Sequence, residues 1–125
     1  MAIRPPGWPG GRLRPTTELE ALLAAAQADL VSDPHDPDYQ RGIIATLMWA
    51  LGRTAEPPLT DRTVASPTVD DIYQEEEIAT KMMYGEFGRI ERVTQAFLVG
   101  VEATSLWCRS KTDEPPIDVD LSITR

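Results

Sequence analysis

The sequence contains few of the residues on which most catalytic and metal sites are built. Its 125 residues include one histidine, one cysteine and a 6% share of aromatic residues. The single cysteine, Cys108, forms no intramolecular disulfide, which suits a reducing compartment. No apolar run approaches the roughly 18 residues needed to cross a bilayer, and the opening MAIRPPGWPGG lacks the apolar region of a secretory signal. We therefore expect a cytoplasmic or virion-associated protein with no membrane contact.

Positive charge is also scarce, except at the amino terminus. The net charge is −8, yet residues 1–15 carry three arginines and no acid, and residues 113–125 carry four acids and one arginine. An acidic body repels phosphate backbones, so direct nucleic-acid binding is not expected. The basic segment is suited instead to an acidic protein surface, on its own body or on a neighbouring copy.

Two amphipathic helices are predicted in the first half of the chain. Thr16 or Thr17 can cap the first helix. The prolines of SDPHDPD separate it from the second, for which Asp36 is a candidate N-cap, Pro37 suits the first position and Gly52 marks the end. The apolar stripe of the first helix is formed by Leu19, Leu22, Leu23, Ala26 and Leu30, and that of the second by Ile43, Ile44, Leu47, Met48 and Leu51. A tryptophan lies on another side of the second helix, so we expect this helix at the centre of the core.

Two further helices are predicted after a proline-bearing connection, residues 53–67. The third begins at Ser66, or at Thr68 paired with Asp71 in a capping box. Its apolar stripe is Val69, Ile72, Tyr73, Met83 and Phe87. The glycines of Gly85–Gly88 indicate either a turn or a kink. A fourth helix then resumes the helical period with Ile90, Val93, Phe97, Val101 and Cys108.

The carboxyl terminus has a different period. In IDVDLSI the apolar residues alternate with polar ones, which predicts an extended strand with one buried face. Only residues 62–66 offer it a possible partner strand.

The fold class predicted from these patterns is all-α, a small three- to four-helix bundle with extended N- and C-terminal arms. The Pro/Gly-rich arm spans residues 1–15, the helical body 16–112 and the strand-like tail 113–125.

Two stretches are candidate metal sites. His35 lies among three aspartates in DPHDPD, but the spacing is not that of a calcium loop, and the prolines favour a turn. Glu76 falls on the apolar stripe of the third helix, as glutamates of di-metal bundles do, but no Glu-x-x-His pair accompanies it. We interpret Glu75–Glu77 as a solvated or inter-helix ion-paired face with Lys81, Arg89 or Arg92 as partners.

The sequence lacks the motifs on which nucleophilic catalysis usually depends. Cys108 ends a helical stripe and is interpreted as a small core residue. No Gly-x-Ser-x-Gly elbow is present, and PPGWPGG is neither a P-loop nor a dinucleotide-binding motif. We therefore predict no catalytic residue, no metal, no cofactor and no enzyme activity.

The terminal arms are predicted to bind a protein partner or further copies of the chain. Trp8 lies in a Pro/Gly context, where an aromatic anchor binds with little loss of entropy, and the tail can add to an exposed sheet edge. An arm without a binding role and an arm docked on its own body stay open as alternatives. The candidate partner-binding residues are Arg4, Trp8, Arg12, Arg14, Ile117, Val119, Leu121 and Ile123.

The stretch YQRGIIATLMWALGRTAEPPLT resembles a pattern in short helical proteins of actinobacteria and their phages. The matching positions are Tyr39, Gly42, Trp49, Leu51, Gly52, Pro57 and Pro58. That family carries no assigned activity, so the resemblance transfers no functional residue. It favours a phage or phage-like assembly.

Three functional hypotheses follow. The leading one is a non-enzymatic structural subunit of a larger assembly, of phage or phage-like type. The alternative is an acidic inhibitor or regulator that binds a basic protein surface through acids such as Asp70, Asp71 and Glu75–Glu77. A metal protein built around Glu76 is the third, and its incomplete ligand set disfavours it.

Overall fold

Four helices make up the body of the molecule in the part that the structure describes. The computed structural model describes residues 12–32, 36–86, 88 and 93–121. Within these ranges it has no β-strand, and its helices are α1 (Thr16–Ser32), α2 (Pro37–Ala50), α3 (Val69–Met83) and α4 (Gln95–Cys108). Helix α2 contacts both α1 and α4, and α3 packs against α4. The predicted all-α bundle is confirmed, and α2 and α4, each in contact with two other helices, share its centre. None of the helices in the described ranges is long and apolar enough to cross a membrane.

Helices α2 and α3 begin where the sequence places their caps, whereas α4 begins later than predicted, at Gln95 after the N-cap Thr94, so Val93 precedes the helix. Helix α1 starts at Thr16, and α2 starts at Pro37 with Asp36 in the N-cap position. Helix α3 begins after Thr68, whose hydroxyl accepts a hydrogen bond from the Asp71 amide at 3.2 Å. The Asp71 carboxylate accepts in return from the Thr68 amide at 2.8 Å. This capping box selects Thr68 over the alternative start.

A glycine lies two residues after the last residue of both α2 and α3. Gly52 and Gly85 have φ angles of 75° and 74°, which glycine adopts without strain. After Gly85 the Glu86 amide donates to the Lys81 carbonyl oxygen at 2.8 Å, as in a Schellman motif. The third helix therefore ends at Met83, and Gly85 forms a turn and not a kink.

Helices α2 and α4 touch backbone to backbone. A Cβ atom on Gly100 would lie 2.5 Å from the Tyr39 carbonyl oxygen, and one on Gly42 would overlap the carbonyl oxygen of Phe97. Only residues without a Cβ atom allow this separation of the two helices. The Thr46 hydroxyl, also buried, donates back to the Gly42 carbonyl oxygen at 2.9 Å.

Two apolar clusters fill the interior. The main cluster joins α1, α2, the start of α3 and the carboxyl end of α4 through Leu19, Leu22, Leu23, Ala26, Ile43, Leu47, Trp49, Ile72, Trp107 and Cys108. The smaller cluster lies between α3, α4 and the connection before α3, and consists of Leu59, Ala79, Val93, Leu98 and Val101. Every core residue predicted for the first helix except Leu30 is buried.

The buried face of α3 overlaps the predicted one only in part. Its buried positions are Ile72, Glu75, Glu76 and Ala79, whereas Val69, Tyr73 and Met83 are half-buried. Phe87 lies outside the described residues. The prediction had Ile72 and Glu76 on the inward stripe but missed Glu75 and Ala79, because two adjacent glutamates are not expected in a core. Each in fact forms ion pairs with an arginine from another segment, which offsets the cost of burying its charge.

The tail is not a strand within the described ranges. Residues 62–66 give it no partner, because the Val64 amide donates to the Ala55 carbonyl oxygen inside the connection at 2.8 Å. The predicted alternation is nevertheless present up to residue 121. Ile117, Val119 and Leu121 are half-buried against the main cluster, while Asp118 and Asp120 are exposed.

Replacing Gly100 by alanine tests the α2–α4 contact. The added Cβ meets backbone, which cannot rotate away, so we expect Gly100→Ala to lower the free energy of unfolding by about 2 kcal/mol or more. The measurement is chemical denaturation followed by circular dichroism. Gly88→Ala is the matched control, because no atom lies within 4 Å of the position that its Cβ atom would take. Equal stability of the two variants would contradict the close contact.

Candidate functional site

The roots of both terminal arms meet at the carboxyl end of α4. The Arg14 amide donates to the Cys108 carbonyl oxygen at 2.9 Å. Its guanidinium donates to the carbonyl oxygens of Trp107 and Thr112, each at 2.6 Å, and lies 4.6 Å from the centre of the Trp107 ring. A cation is favourable there because the last carbonyl groups of a helix have no partners within it.

Further contacts close this arrangement. Arg14 also pairs with Glu18 at 3.3 Å and with Asp113 at 3.4 Å. The carbonyl oxygen of Arg12 accepts a hydrogen bond from the Ser110 hydroxyl at 2.8 Å. Arg12 is exposed. We call the contacts between residues 12–14 and residues 107–113 the terminal clasp. It ties the start of the described chain to the segment that leads into the tail.

The structure places the predicted partner-binding residues in three environments. Arg14 is in the terminal clasp, and Arg12 is at its exposed edge. The three tail residues Ile117, Val119 and Leu121 pack against the chain's own main cluster. Arg4, Trp8 and Ile123 lie outside the described residues. Binding of a partner by these eight residues stays a prediction.

A groove lies beside the terminal clasp. Its volume is about 330 Å³, and it is lined by Tyr39, Ala103, Leu106, Thr112, Glu114, Pro115 and Pro116. The Tyr39 hydroxyl donates to the Pro116 carbonyl oxygen at 2.5 Å, which fixes the tail across the end of the groove. Burial raises the pKa of Tyr39, and the neighbouring Asp36 carboxylate raises it further. The tyrosine is therefore a neutral hydrogen-bond donor at physiological pH.

The groove continues into an exposed apolar strip on α4. Val99, Ala103 and Leu106 recur at spacings of four and three residues and share one side of the helix. Val99 is 39% exposed, and the other two are half-buried in the wall of the groove. We call these three residues the α4 outer face. No pattern in the sequence indicated the groove, because its lining comes from residues far apart in the chain.

Glu75 organises the connection that precedes α3. Its fully buried carboxylate accepts hydrogen bonds from the amides of Leu59 and Thr60 at 2.9 and 3.3 Å and from the Thr60 hydroxyl at 2.9 Å. Arg62 completes the set at 3.2 Å and extends over the Trp49 ring. Every oxygen of the carboxylate thus has partners, which makes its burial tolerable.

Glu76 forms the second buried ion pair. Its two oxygens accept from Arg109 Nε at 2.7 Å and from Nη2 at 3.0 Å, a bidentate arrangement. Arg109 is 4% exposed and lies 4.9 Å from the centre of the Tyr73 ring. The pair joins the middle of α3 to the end of α4.

Ion pairs are present at Glu75–Glu77, which were interpreted as a solvated or inter-helix ion-paired face, and Lys81 is the one named partner that the described residues include. Lys81 pairs with Glu77 at 2.9 Å on the surface, and Arg89 and Arg92 lie outside the described residues. Arg62 and Arg109 are the partners of the buried glutamates. No local spacing could have indicated them, because they lie 13 and 33 residues away from their glutamates.

Two candidates from the sequence remain, the possible nucleophile Cys108 and the possible metal ligand His35. Cys108 is buried in the main cluster, as predicted. In the part of the chain that the structure describes, no three His, Cys, Asp or Glu side chains are grouped closely enough to hold a metal ion. His35 lies outside that part.

Removing Arg109 tests the buried pair. Arg109→Ala leaves the Glu76 charge buried without its guanidinium, and we expect a loss of about 3–5 kcal/mol in unfolding free energy. Replacing both residues by leucine should recover most of that loss, because no unpaired charge is left. Lys81→Ala removes an exposed pair and serves as a control with little effect. Chemical denaturation of the four proteins measures these differences, and a mild effect of Arg109→Ala would contradict the buried pair.

The Cys108 thiol gives a second test. Burial raises its pKa from 9.0 to about 12, although the Arg14 charge acts to lower it. The stability contributed by this group is therefore intact below pH 9 and is lost as the pH rises from 9 to 12, where only the unfolded thiol ionises. We expect the folded protein to resist a thiol reagent at mildly alkaline pH and the unfolded protein to react at once. Rapid labelling without unfolding would show that the carboxyl end of α4 opens.

Three comparisons with known proteins were made, and none found a relative. A scan against protein-family models, a search of curated proteins and a search of solved structures each found no match to this chain.

Proposed function

We propose that the protein is a non-enzymatic structural subunit that binds other protein chains, further copies of itself among them, within a larger assembly. The observation that carries this proposal is the α4 outer face and the groove into which it leads. A contiguous apolar surface beside a groove is typical of protein interaction sites. Val99 offers the exposed centre of such a contact.

The terminal clasp supports the same proposal. It holds Arg12 and Arg14 on the end of α4 and so fixes the position of the residues that directly follow the predicted binding segment. That position lies next to the groove, because Thr112 belongs both to the clasp and to the groove lining. The predicted binding arm and the candidate surface are therefore at the same end of the molecule.

The use of the polar residues also favours a subunit over an enzyme. Glu75 and Glu76 are occupied by arginines and backbone amides, and Cys108 is enclosed by the core. These were the groups that the sequence offered for metal binding or nucleophilic chemistry. Their contacts stabilise the fold and leave no polar atom of theirs facing the groove.

Most of the acids on which the acidic-inhibitor alternative depends are buried or paired within the chain. Of the acids that it invoked, Glu75 and Glu76 are buried. Asp71 is engaged in the capping box of α3, and Glu77 pairs with Lys81. We therefore do not carry this alternative further.

The type of assembly is part of the proposal. Residues 39–60 resemble a pattern in short helical proteins of actinobacteria and their phages, and this favours a phage or phage-like assembly. The seven matching positions include Gly42, which forms the α2–α4 contact. The segment that carries the resemblance thus includes a residue on which the helix pairing depends.

A charge placed on the α4 outer face tests the proposal. We expect Val99→Lys to weaken self-association, or retention of a co-purified partner, by about tenfold, because a lysine at an apolar contact must lose its hydration. Val31→Lys is the matched control, since Val31 is 85% exposed on another helix. Sedimentation velocity across a wide concentration range is the measurement. A wild-type chain that stays monomeric and retains no partner at low salt would refute the proposed function.

A further inference from the structure

We propose that the groove beside the terminal clasp binds the proline-rich N-terminal segment, residues 4–9, of a second copy of this chain. The inference rests on the proposed function and names the partner of its surface. It assigns Trp8 as the side chain that enters the groove. Two copies that meet at this end exchange their segments reciprocally.

The lining of the groove suits such a segment. Tyr39, Pro115 and Pro116 provide an aromatic ring and two flat pyrrolidine rings, and Ala103 and Leu106 supply aliphatic surface. Proline-rich segments bind in aromatic-lined grooves because their extended backbone is already ordered before binding. An indole among prolines adds a large apolar surface with few rotatable bonds.

The charges are complementary. Residues 1–15 contain three arginines and no acid. Glu114 lines the groove and is exposed, and the side chain of Asp113 beside it is fully exposed despite its contact with Arg14. Arg4 of an incoming segment therefore meets carboxylates at the rim, where an ion pair sets orientation more than affinity.

The residues that follow the N-terminal segment lie close to the groove. Arg12 is held at Ser110, two residues before the groove-lining Thr112. The four residues from Arg12 back to Trp8 span at most about 14 Å when extended. A groove and an arm root at the same end of one molecule form a self-complementary pair, so a two-fold dimer satisfies both copies at once.

A second copy is favoured over the chain's own groove by the sequence of the arm. Pro9 restricts Trp8 to extended conformations, and Pro5 and Pro6 extend the residues before it. An extended segment stiffened by prolines is suited to reach across to a facing molecule, because little entropy is lost when it binds.

Complementation between two variants tests the exchange. Trp8→Ala removes the anchor and keeps the groove, whereas Ala103→Lys fills the groove and keeps the anchor. Each alone should self-associate at least about tenfold more weakly than the wild type. A mixture, with one variant labelled with nitrogen-15, should give heterodimers in excess of either homodimer by native mass spectrometry. Tyr84→Ala, which removes an aromatic ring that is 76% exposed, is the control and should associate normally.

A peptide covers the case in which Ala103→Lys does not fold. A synthetic peptide of residues 3–11 should inhibit wild-type self-association, and the same peptide with alanine in place of Trp8 should not. Self-association that neither variant nor peptide affects would overturn this inference while leaving the proposed function in place. A monomeric chain in which Ala103→Lys shifts the Trp8 fluorescence would overturn it in favour of binding to the chain's own groove.

Discussion

The backbone contact between α2 and α4 is the constraint on which the rest of the molecule depends. Gly42 lies on α2 and Gly100 on α4. The two helices approach so closely at these residues that a Cβ atom on either glycine would meet the backbone of the facing helix. This approach brings Tyr39, whose carbonyl oxygen touches Gly100, to the side of α4 that carries Ala103. The groove is therefore a consequence of the helix crossing. Its remaining lining, Thr112 and residues 114–116, comes from the segment after α4.

Buried charge attaches the irregular segments to this pair of helices. Glu75 gathers the amides of the connection before α3, and Glu76 ties α3 to Arg109 at the end of α4. Arg14 does the same for the chain that precedes α1. Arg14, Arg109 and Arg62, the partner of Glu75, each lie near an aromatic ring, which adds a cation–π contribution. Ion pairs thus fix positions that a small apolar core cannot specify alone.

Local features of the sequence were sufficient to predict the existence of all four helices and the starts of α2 and α3, but not the start of α4. The proline at the start of α2, the capping box at Thr68 and the glycine stop at Gly52 act within a few residues, so their signals can be read directly. The groove and the buried pairs join residues far apart in the chain. A pattern that finds Glu76 on an apolar stripe does not show that Arg109 will neutralise it. The strand predicted for the tail failed for the same reason, because pairing depends on a partner elsewhere.

The central claim is that this end of the molecule receives the N-terminal segment of a second copy. Its most direct test is an isotope-filtered nuclear Overhauser experiment on an equal mixture of carbon-13-labelled and unlabelled wild-type chains. The account predicts cross-peaks between the Trp8 indole protons of unlabelled chains and the Leu106 methyl groups of labelled chains. Cross-peaks between these groups within one chain only, or none at all in a sample that self-associates, would contradict it.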